Sequence, residues 1–275
     1  MSPVSATTDT RRTTSTPARR QDSPNVNALT QTGLVLGREL RPVLRDPFSI
    51  IFGLVQPVFF LALFAPLLIT TTGQSTSAAL QWFVPGVLIM IALFGTSATG
   101  SNLQMEMMTG SHERVLVTPL TRPAVMIGKA LKEIVPTVIQ GAIIVAIALP
   151  FGFDVRPLGA VIGLAMLALF CVGVGALSSA LALAVKNQEW MFWLVQQTLL
   201  FPLLLLAGVL LPLEDAPGWL TFLSRLNPLR YLVDAERALF AGDLGTAAVG
   251  YGVLASVVVA VGGLLIGSRS MARSN

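Results

Sequence analysis

The chain has 275 residues, 53% of them apolar and only 12% charged, about half the charged share of a soluble domain. This is a membrane composition. The single cysteine, Cys171, excludes an intrachain disulfide and a thiolate metal cluster. One histidine, His112, and no HExxH pair argue against a zinc site.

Residues 1–27, MSPVSATTDTRRTTSTPARRQDSPNVN, are rich in Ser, Thr, Pro and Arg. They have no apolar centre, so they are not a signal peptide, and they are expected to form a disordered cytoplasmic tail. The Ser/Thr cluster beside Arg11, Arg12, Arg19 and Arg20 is open to phosphorylation. A plain basic tail that aids orientation is the simpler reading.

Residues 28–46 follow with Leu29, Gly33, Leu36, Leu40 and Val43 at helical spacing, and with Arg38, Arg41 and Arg45 on another face. This predicts an amphipathic interface helix. It serves either as a basic anchor on anionic lipid or as a docking surface for a partner. Asp46-Pro47 then breaks the chain before a membrane domain spanning residues 47–267.

Six uncharged apolar runs follow: Phe48–Ile69, Trp82–Leu103, Ile134–Phe153, Leu158–Val185, Trp190–Leu211 and Ala247–Gly267. Such runs match the roughly 20 residues that cross a hydrocarbon core of about 30 Å, the fourth being longer than needed, so that it must tilt or begin in the interface. None alternates with period two, so helices rather than a barrel must satisfy the backbone in lipid. The fold class is therefore an all-α integral membrane protein with six transmembrane helices. A tail at 268–275 ends the chain.

Fourteen of the eighteen Lys and Arg fall in the two terminal regions and in the loops 104–133 and 186–189. The alternate loops hold four. The bias places both termini and the 104–133 loop in the cytoplasm.

Inside that loop, the segment GSHERVLVTPLTRPAVMIGKALKE (110–133) gathers the charges of Glu113, Arg114, Arg122, Lys129, Lys132 and Glu133. A break at Met107 to Gly110, a short helix at Ser111 to Val117 and a second helix at Ala124 to Glu133 are expected, with Thr118-Pro119 and Arg122-Pro123 as punctuation. A short helix held between two spans is a lever. At the other side, Trp219, Leu220, Phe222, Leu223 and Leu226 suit an interfacial helix. Asn227-Pro228 turns the chain, and Leu229 to Phe240 continues as a helix that Gly242 ends. Residues 212–243 thus read as an outer re-entrant helical hairpin.

Several chemistries are missing. Gly128-Lys129 imitates the end of a P-loop, but position 123 is Pro and position 130 is Ala. No Ser–His or Asp–Asp constellation lies in the runs. The runs hold no Asp, Glu, His, Lys or Arg, which argues against a proton- or sodium-coupled carrier. They do hold Gln56, Gln140, Gln196 and Gln197, as helix glue, as cavity lining or as partners for carbonyls freed by Pro57 and Pro202. Gly159/Gly163 and Gly263/Gly267 have the spacing of close helix packing.

Two passages carry a family resemblance. HERVLVTPLTRPAVMIGKAL resembles the E-R-x-L-x-x-T-P-[LV]-[ST]-R … G-K/R stretch of type-2 ABC transporter permeases. NPLRYLVDAERALFAGD resembles their N-P-[LVM]-x-Y-x-V-[DE]-A-x-R-x-L/F stretch before the last span. Within that family the chain is most similar to the drug-resistance, daunorubicin-exporter-like permeases. Val115-Leu116 stands where many relatives carry Gly-Thr.

The resemblance implies a permease subunit of an ATP-driven exporter in the plasma membrane of a bacterium, not an enzyme. It implies no cofactor in this chain, with ATP and Mg bound by two separate ATPase subunits. The other implied partners are a second permease copy or a related permease, membrane lipid and a hydrophobic or amphipathic drug, antibiotic or lipid-like metabolite, with no nucleic acid. Loop 104–133 becomes the cytoplasmic coupling helix. Glu113, Arg114, Pro119, Arg122 and Lys129 then serve the ATPase contact, with Arg38 and Arg41 on the interface helix as a second contact. Substrate candidates are Gln56, Phe59, Phe60, Phe94, Gln196, Gln197 and Phe201. The hairpin motif supplies Asn227, Pro228, Tyr231, Asp234 and Arg237. The competing reading is an ATP-independent channel or secondary carrier.

Overall fold

The structure, a computed structural model, describes residues 27–273 except 74, 112–119, 187, 211, 214 and 215. The described residues form α-helices and one 3₁₀ turn: α1 (Ala28–Arg45), α2 (Pro47–Thr72), α3 (Thr76–Met108), α4 (Arg122–Leu131), α5 (Ile134–Ala148), α6 (Pro157–Ala184), α7 (Glu189–Leu206), α8 (Gly218–Leu226), α9 (Pro228–Ala241) and α10 (Ala247–Arg273). Six segments are long and apolar enough to cross a membrane. These are Ile50–Thr71, Thr76–Met108, Pro123–Phe151, Pro157–Ala184, Glu189–Leu206 and Ala247–Arg273.

Every expected apolar run lies on one of these spans, but several bounds move. Ser75 caps α3, its hydroxyl accepting from Ala78 N at 3.3 Å, so that helix begins well before Trp82. α7 stops at Leu206 rather than Leu211, because Gly208 adopts φ 69°. The third span starts at Pro123, in line with α4. Consequently the helices are longer than the uncharged runs. Glu106 lies in the second span, and Lys129, Lys132 and Glu133 lie in the third. The apolar runs are free of acids and bases, yet the spans that contain them are not.

α6 is the hub of the bundle and packs most extensively on α10 and α3. α3 is the most buried span, with Phe83, Val84, Val87, Leu88, Met90 and Leu103 out of solvent. Its core joins Phe170 and Cys171 of α6 and Leu200 of α7. In contrast, α2 and α7 leave wide apolar faces open, including Phe52, Phe59, Leu194 and Leu199. A soluble protein would not expose such stripes; here they face lipid or a second polypeptide.

One end of the bundle carries α1 and α4 packed together. The buried face of α1 runs through Gln31 and Val35. Leu29, expected on an apolar packing face, stays exposed, as do Arg38, Arg41 and Arg45. The opposite end carries the α8–α9 hairpin, which packs on α10, α3 and α6. Hairpin bounds match the expected turn at Asn227-Pro228 and the expected stop, Gly242 at φ 92°. The short helix expected at Ser111 to Val117 lies almost wholly outside the described residues.

Candidate functional site

A cavity of about 440 Å³ opens between α2, α3, α5 and α7. Gln56 comes from α2, Phe94 from α3, Gln140 from α5, and Gln196 and Gln197 from α7. Lys132 and Glu133 form its charged margin toward the α1 end. Of the residues expected here, Gln56, Phe94, Gln196 and Gln197 are brought together. Phe59, Phe60 and Phe201 do not line it. Phe59 points outward, 61% exposed. Phe60 stacks on Phe64 with centroids 5.5 Å apart. Phe201 meets the edge of Phe94 at 6.4 Å and is otherwise half exposed.

The polar groups of the cavity have distinct tasks. Gln140 Nε2 donates to Ile50 O at 2.9 Å and ties α5 to α2. That is the backbone-satisfying role open to a glutamine in apolar surroundings. Gln196 is 6% exposed and its Oε1 has no partner. It also borders a second cavity of about 350 Å³, walled by α3, α6, α7 and the start of α9. Gln196 therefore stands between two cavities, the second of them apolar, with an open acceptor.

A frame of buried charge lies next to the cavity. Thr99 Oγ1 donates to Glu133 Oε1 at 2.9 Å. Lys132 Nζ reaches Glu39 Oε2 at 3.3 Å and Glu133 Oε1 at 3.9 Å. Lys129 pairs with Glu106. Gln31 Oε1 accepts from both the backbone N–H and the hydroxyl of Thr121, at 2.8 and 3.0 Å. Together these bonds fasten α1, α3 and α4 into one unit.

Lys129, expected as a partner contact, thus turns inward and is 3% exposed. Its charge is spent inside the chain. Arg38 and Arg41 are exposed. Arg122 opens α4, while Glu113, Arg114 and Pro119 lie outside the described residues. The residues missed were Glu39 and Glu106, while Lys132, Glu133 and Gln140 were noted only as loop charges and as one of four span amides. A signal existed for part of this set: Glu133, Thr137 and Gln140 recur at i, i+4 and i+7, which puts them on one helix face.

The hairpin motif is held by its named residues. Asn227 Oδ1 accepts from Leu229 N at 3.1 Å, an N-cap, and Nδ2 donates to Leu203 O at 2.6 Å. Pro228 occupies the first turn of α9, where its missing N–H costs nothing. Tyr231 donates to Arg225 O at 2.7 Å. Asp234 lies 3.8 Å from Arg230 and 3.9 Å from Arg237.

Arg237 clamps three elements. Nε donates to Trp82 O at 3.0 Å, Nη2 donates to Gly208 O at 2.8 Å, and the guanidinium sits 4.0 Å over the Trp82 ring. A lysine ammonium cannot span both carbonyls and stack on the ring at once. Arg237→Lys is therefore expected to lower stability by about 1–3 kcal/mol, read as a fall in melting temperature in detergent.

Among the described residues, no group of three or more His, Cys, Asp or Glu gathers as a metal centre. What the site can do is mechanical and solvating. It offers a space lined by both apolar groups and amides beside a rigid charged frame.

The sequence model of the ABC-2 type transporter family matches residues 30–241. Among curated proteins, the chain is 27% identical over 220 residues to the daunorubicin resistance ABC transporter permease protein DrrB1 of Streptomyces coeruleorubidus, covering 79% of this chain and 77% of that one. It is 29% identical over 201 residues to the putative transport permease ycf38 of Cyanophora paradoxa, covering 71% and 69%. A probable multidrug ABC transporter permease, YbhR of Escherichia coli strain K12, is 28% identical over 169 residues, 59% of this chain and 45% of that protein.

Proposed function

From the premise that this chain belongs to the ABC-2 type transporter family, as a transmembrane permease subunit, we propose that it exports a hydrophobic or amphipathic drug, antibiotic or lipid-like metabolite. The observation that carries the substrate class is the cavity itself. Gln56, Gln140, Gln196, Gln197, Asn102 and Thr137, with Lys132 and Glu133 at one margin, share the wall with Ile50, Phe52, Ile91, Phe94 and Trp193, an amphipathic lining. Such a lining solvates an apolar body with a few polar handles better than a sugar polymer or a small ion. The relatives whose names mention daunorubicin or multidrug transport support the same class.

The mechanism follows from what the chain lacks. With no P-loop in its sequence, energy for transport comes from a partner ATPase. Two such subunits, holding ATP and Mg, dock at the α1 end, which the Lys and Arg count assigns to the cytoplasm. A second permease covers the open faces of α2 and α7 and closes the cavity between the two copies. ATPase closure presses the 104–133 loop and α1. Because α1, α3 and α4 are bonded as one unit, the push arrives at the cavity margin, where Lys132 and Glu133 sit. Docking shifts the inward–outward equilibrium only through contacts that differ between the two states.

The permease reconstituted with its ATPase should move a fluorescent amphiphile only when ATP is present. The permease alone should hydrolyse none. Transport with neither nucleotide nor ATPase would instead establish the channel or carrier reading. Within the complex, the double reversal Glu113→Arg with Arg114→Glu should cut substrate-stimulated ATP turnover by about tenfold, the effect of losing about 1.4 kcal/mol of coupling. The permease should still elute as a folded species. Unchanged turnover would remove these two residues from the coupling contact.

A further inference from the structure

Glu236 is the one buried carboxylate among the described residues with both oxygens unpartnered. Its exposure is 0%, and neither Oε1 nor Oε2 has a hydrogen-bond partner. The other unmatched buried side-chain atoms are the amide oxygens of Gln81, Gln104 and Gln196, which carry no net charge.

Glu236 sits on α9, outside the six spans, on the face that the hairpin presses against the bundle. One turn on, Leu239 lies against Gly159 of α6, and Glu236 itself lies against Gly163. A Cβ at Gly163 would stand 3.1 Å from the Glu236 carboxyl carbon and closer still to Oε2. Next to it, Ala235 lies against Gly252 of α10. Small residues on both partner helices thus let α9 seat deeply, and the carboxyl is carried into the contact.

Among the described residues no counter-charge faces it; α8, also packed on α9, carries only Arg225, whose carbonyl accepts from Tyr231. α6 has no acid or base but Cys171, whose thiol donates to Thr137. On α10 the charged groups are Arg269 and Arg273, at the far end, and Tyr251 faces Tyr231. α3 carries only Glu106, which pairs with Lys129. α7 carries only Glu189, in its first turn at the far end of that helix. On α9 itself, Arg237 grips Trp82 and Gly208, and Arg230 faces Asp234 and Ser224. Arg156 lies beside Gly242.

We propose that Glu236 is a proton-binding site that latches the α8–α9 hairpin: the hairpin seats on α6 and α10 with this carboxyl neutral and lifts when it ionises. An isolated carboxylate loses its hydration in that contact and gains nothing in return, whereas a carboxylic acid fits. Lifting the hairpin lets water reach the group, so ionisation favours opening and opening favours ionisation. Burial alone pushes the carboxyl up from 4.5 to about 8, with no charged neighbour contributing.

The sign follows from that raised value. The seated state holds its proton more tightly than the lifted state, so seating is fully favoured below the ordinary carboxyl range. It weakens by about tenfold per pH unit as pH rises through the window up to about 8. Above that value both states are ionised and the dependence ends. In the topology proposed above, the hairpin lies at the end away from the ATPases and faces outward, so external pH would set how readily it lifts.

The test uses the full chain in lipid nanodiscs, without ATPase or substrate, so its outcome is independent of the transport reading. Infrared difference spectra between pH 5 and 9 should show a protonated-carboxyl band that disappears near pH 8 and is missing in Glu236→Gln. Amide exchange across 218–241, referenced to the 247–267 segment, should rise with pH in the wild type. In Glu236→Gln it should stay low and flat. A band that survives in the variant, or the same pH dependence in both proteins, would overturn the proposal. If Glu236→Gln does not fold, the wild-type series decides: hairpin protection unchanged from pH 5 to 9 overturns it.

Discussion

Replacing Lys129 by Met is expected to destabilise the folded permease by about 3–5 kcal/mol, the cost of stranding one member of a buried ion pair. The Lys129 side chain is 4% exposed and its Glu106 partner 21%. Removing the cation leaves the Glu106 carboxylate at the end of a membrane span with little water to replace its partner. The residual exposure of Glu106 lets some hydration return, which places the expected loss at the lower end of that range. Adding Glu106→Leu to Lys129→Met should recover most of the loss, because two apolar groups of similar size need no desolvated charge. Equilibrium unfolding in detergent for the four proteins of this double-mutant cycle measures it. A single-mutant loss under about 1 kcal/mol, the range of an exposed pair, would show that the pair is solvated. The double variant is also expected to transport poorly, since α4 would lose its charged link to α3 even where the fold survives.

That pair marks where sequence reasoning reached its limit. A lysine in a polar loop reads as a contact for something outside, because exposed loops are where charge is cheap. What turned Lys129 inward is the long continuation of α3 to Met108, which places Glu106 opposite α4. Neither helix end was visible in hydropathy, since the apolar run stops at Leu103 while the hydrogen-bonded helix does not. The six spans were legible because an uncharged run of membrane length suits little besides a bilayer crossing. The hairpin was legible because Asn227-Pro228 and Gly242 have strong local preferences.

The cavity was only half legible. Gln56, Phe94, Gln196 and Gln197 lie on its wall, whereas Phe59 faces out and Phe60 turns to Phe64. On a helix apolar on every side, nothing in one sequence separates a lipid-facing phenylalanine from one facing a cavity. Amides are easier, because a glutamine in hydrocarbon must find a partner or a polar space. Glu236 escaped for a different reason. Within residues 212–243 it reads as one of five acids on a polar loop. Its isolation arises only when Gly163, seventy-three positions earlier in the chain, supplies the space it fills.

The adjacent glycines Gly262 and Gly263 should respond to alanine in opposite ways. α6 crosses α10 with the backbones in contact. A Cβ at Gly263 would fall 2.8 Å from Gly173 C and Cα, and closer still to Gly173 O. A Cβ at Gly173 would in turn fall 2.5 Å from Val259 C and 2.7 Å from Ala260 N. These are backbone atoms, which cannot rotate aside, and the pair lies in the most extensive helix contact of the fold. Between helices surrounded by lipid, association depends on such close approach rather than on hydrophobic burial. Gly263→Ala is therefore expected to cost about 3 kcal/mol, the upper end for overpacking, and Gly263→Leu to abolish the folded species. Gly262 has nothing within 4 Å of its would-be Cβ. Gly262→Ala should be neutral or stabilising by up to about 1 kcal/mol through helix propensity. Melting temperatures of the two single variants in the same detergent decide the matter, and equal shifts would mean that α6 and α10 are not in backbone contact. The same crossing is expected to hold still during transport, because a contact with no side chains between the helices has no alternative rotamers in which to slide. Movement between inward and outward states then belongs to α2 and α7, whose open faces leave them only lightly packed on the hub.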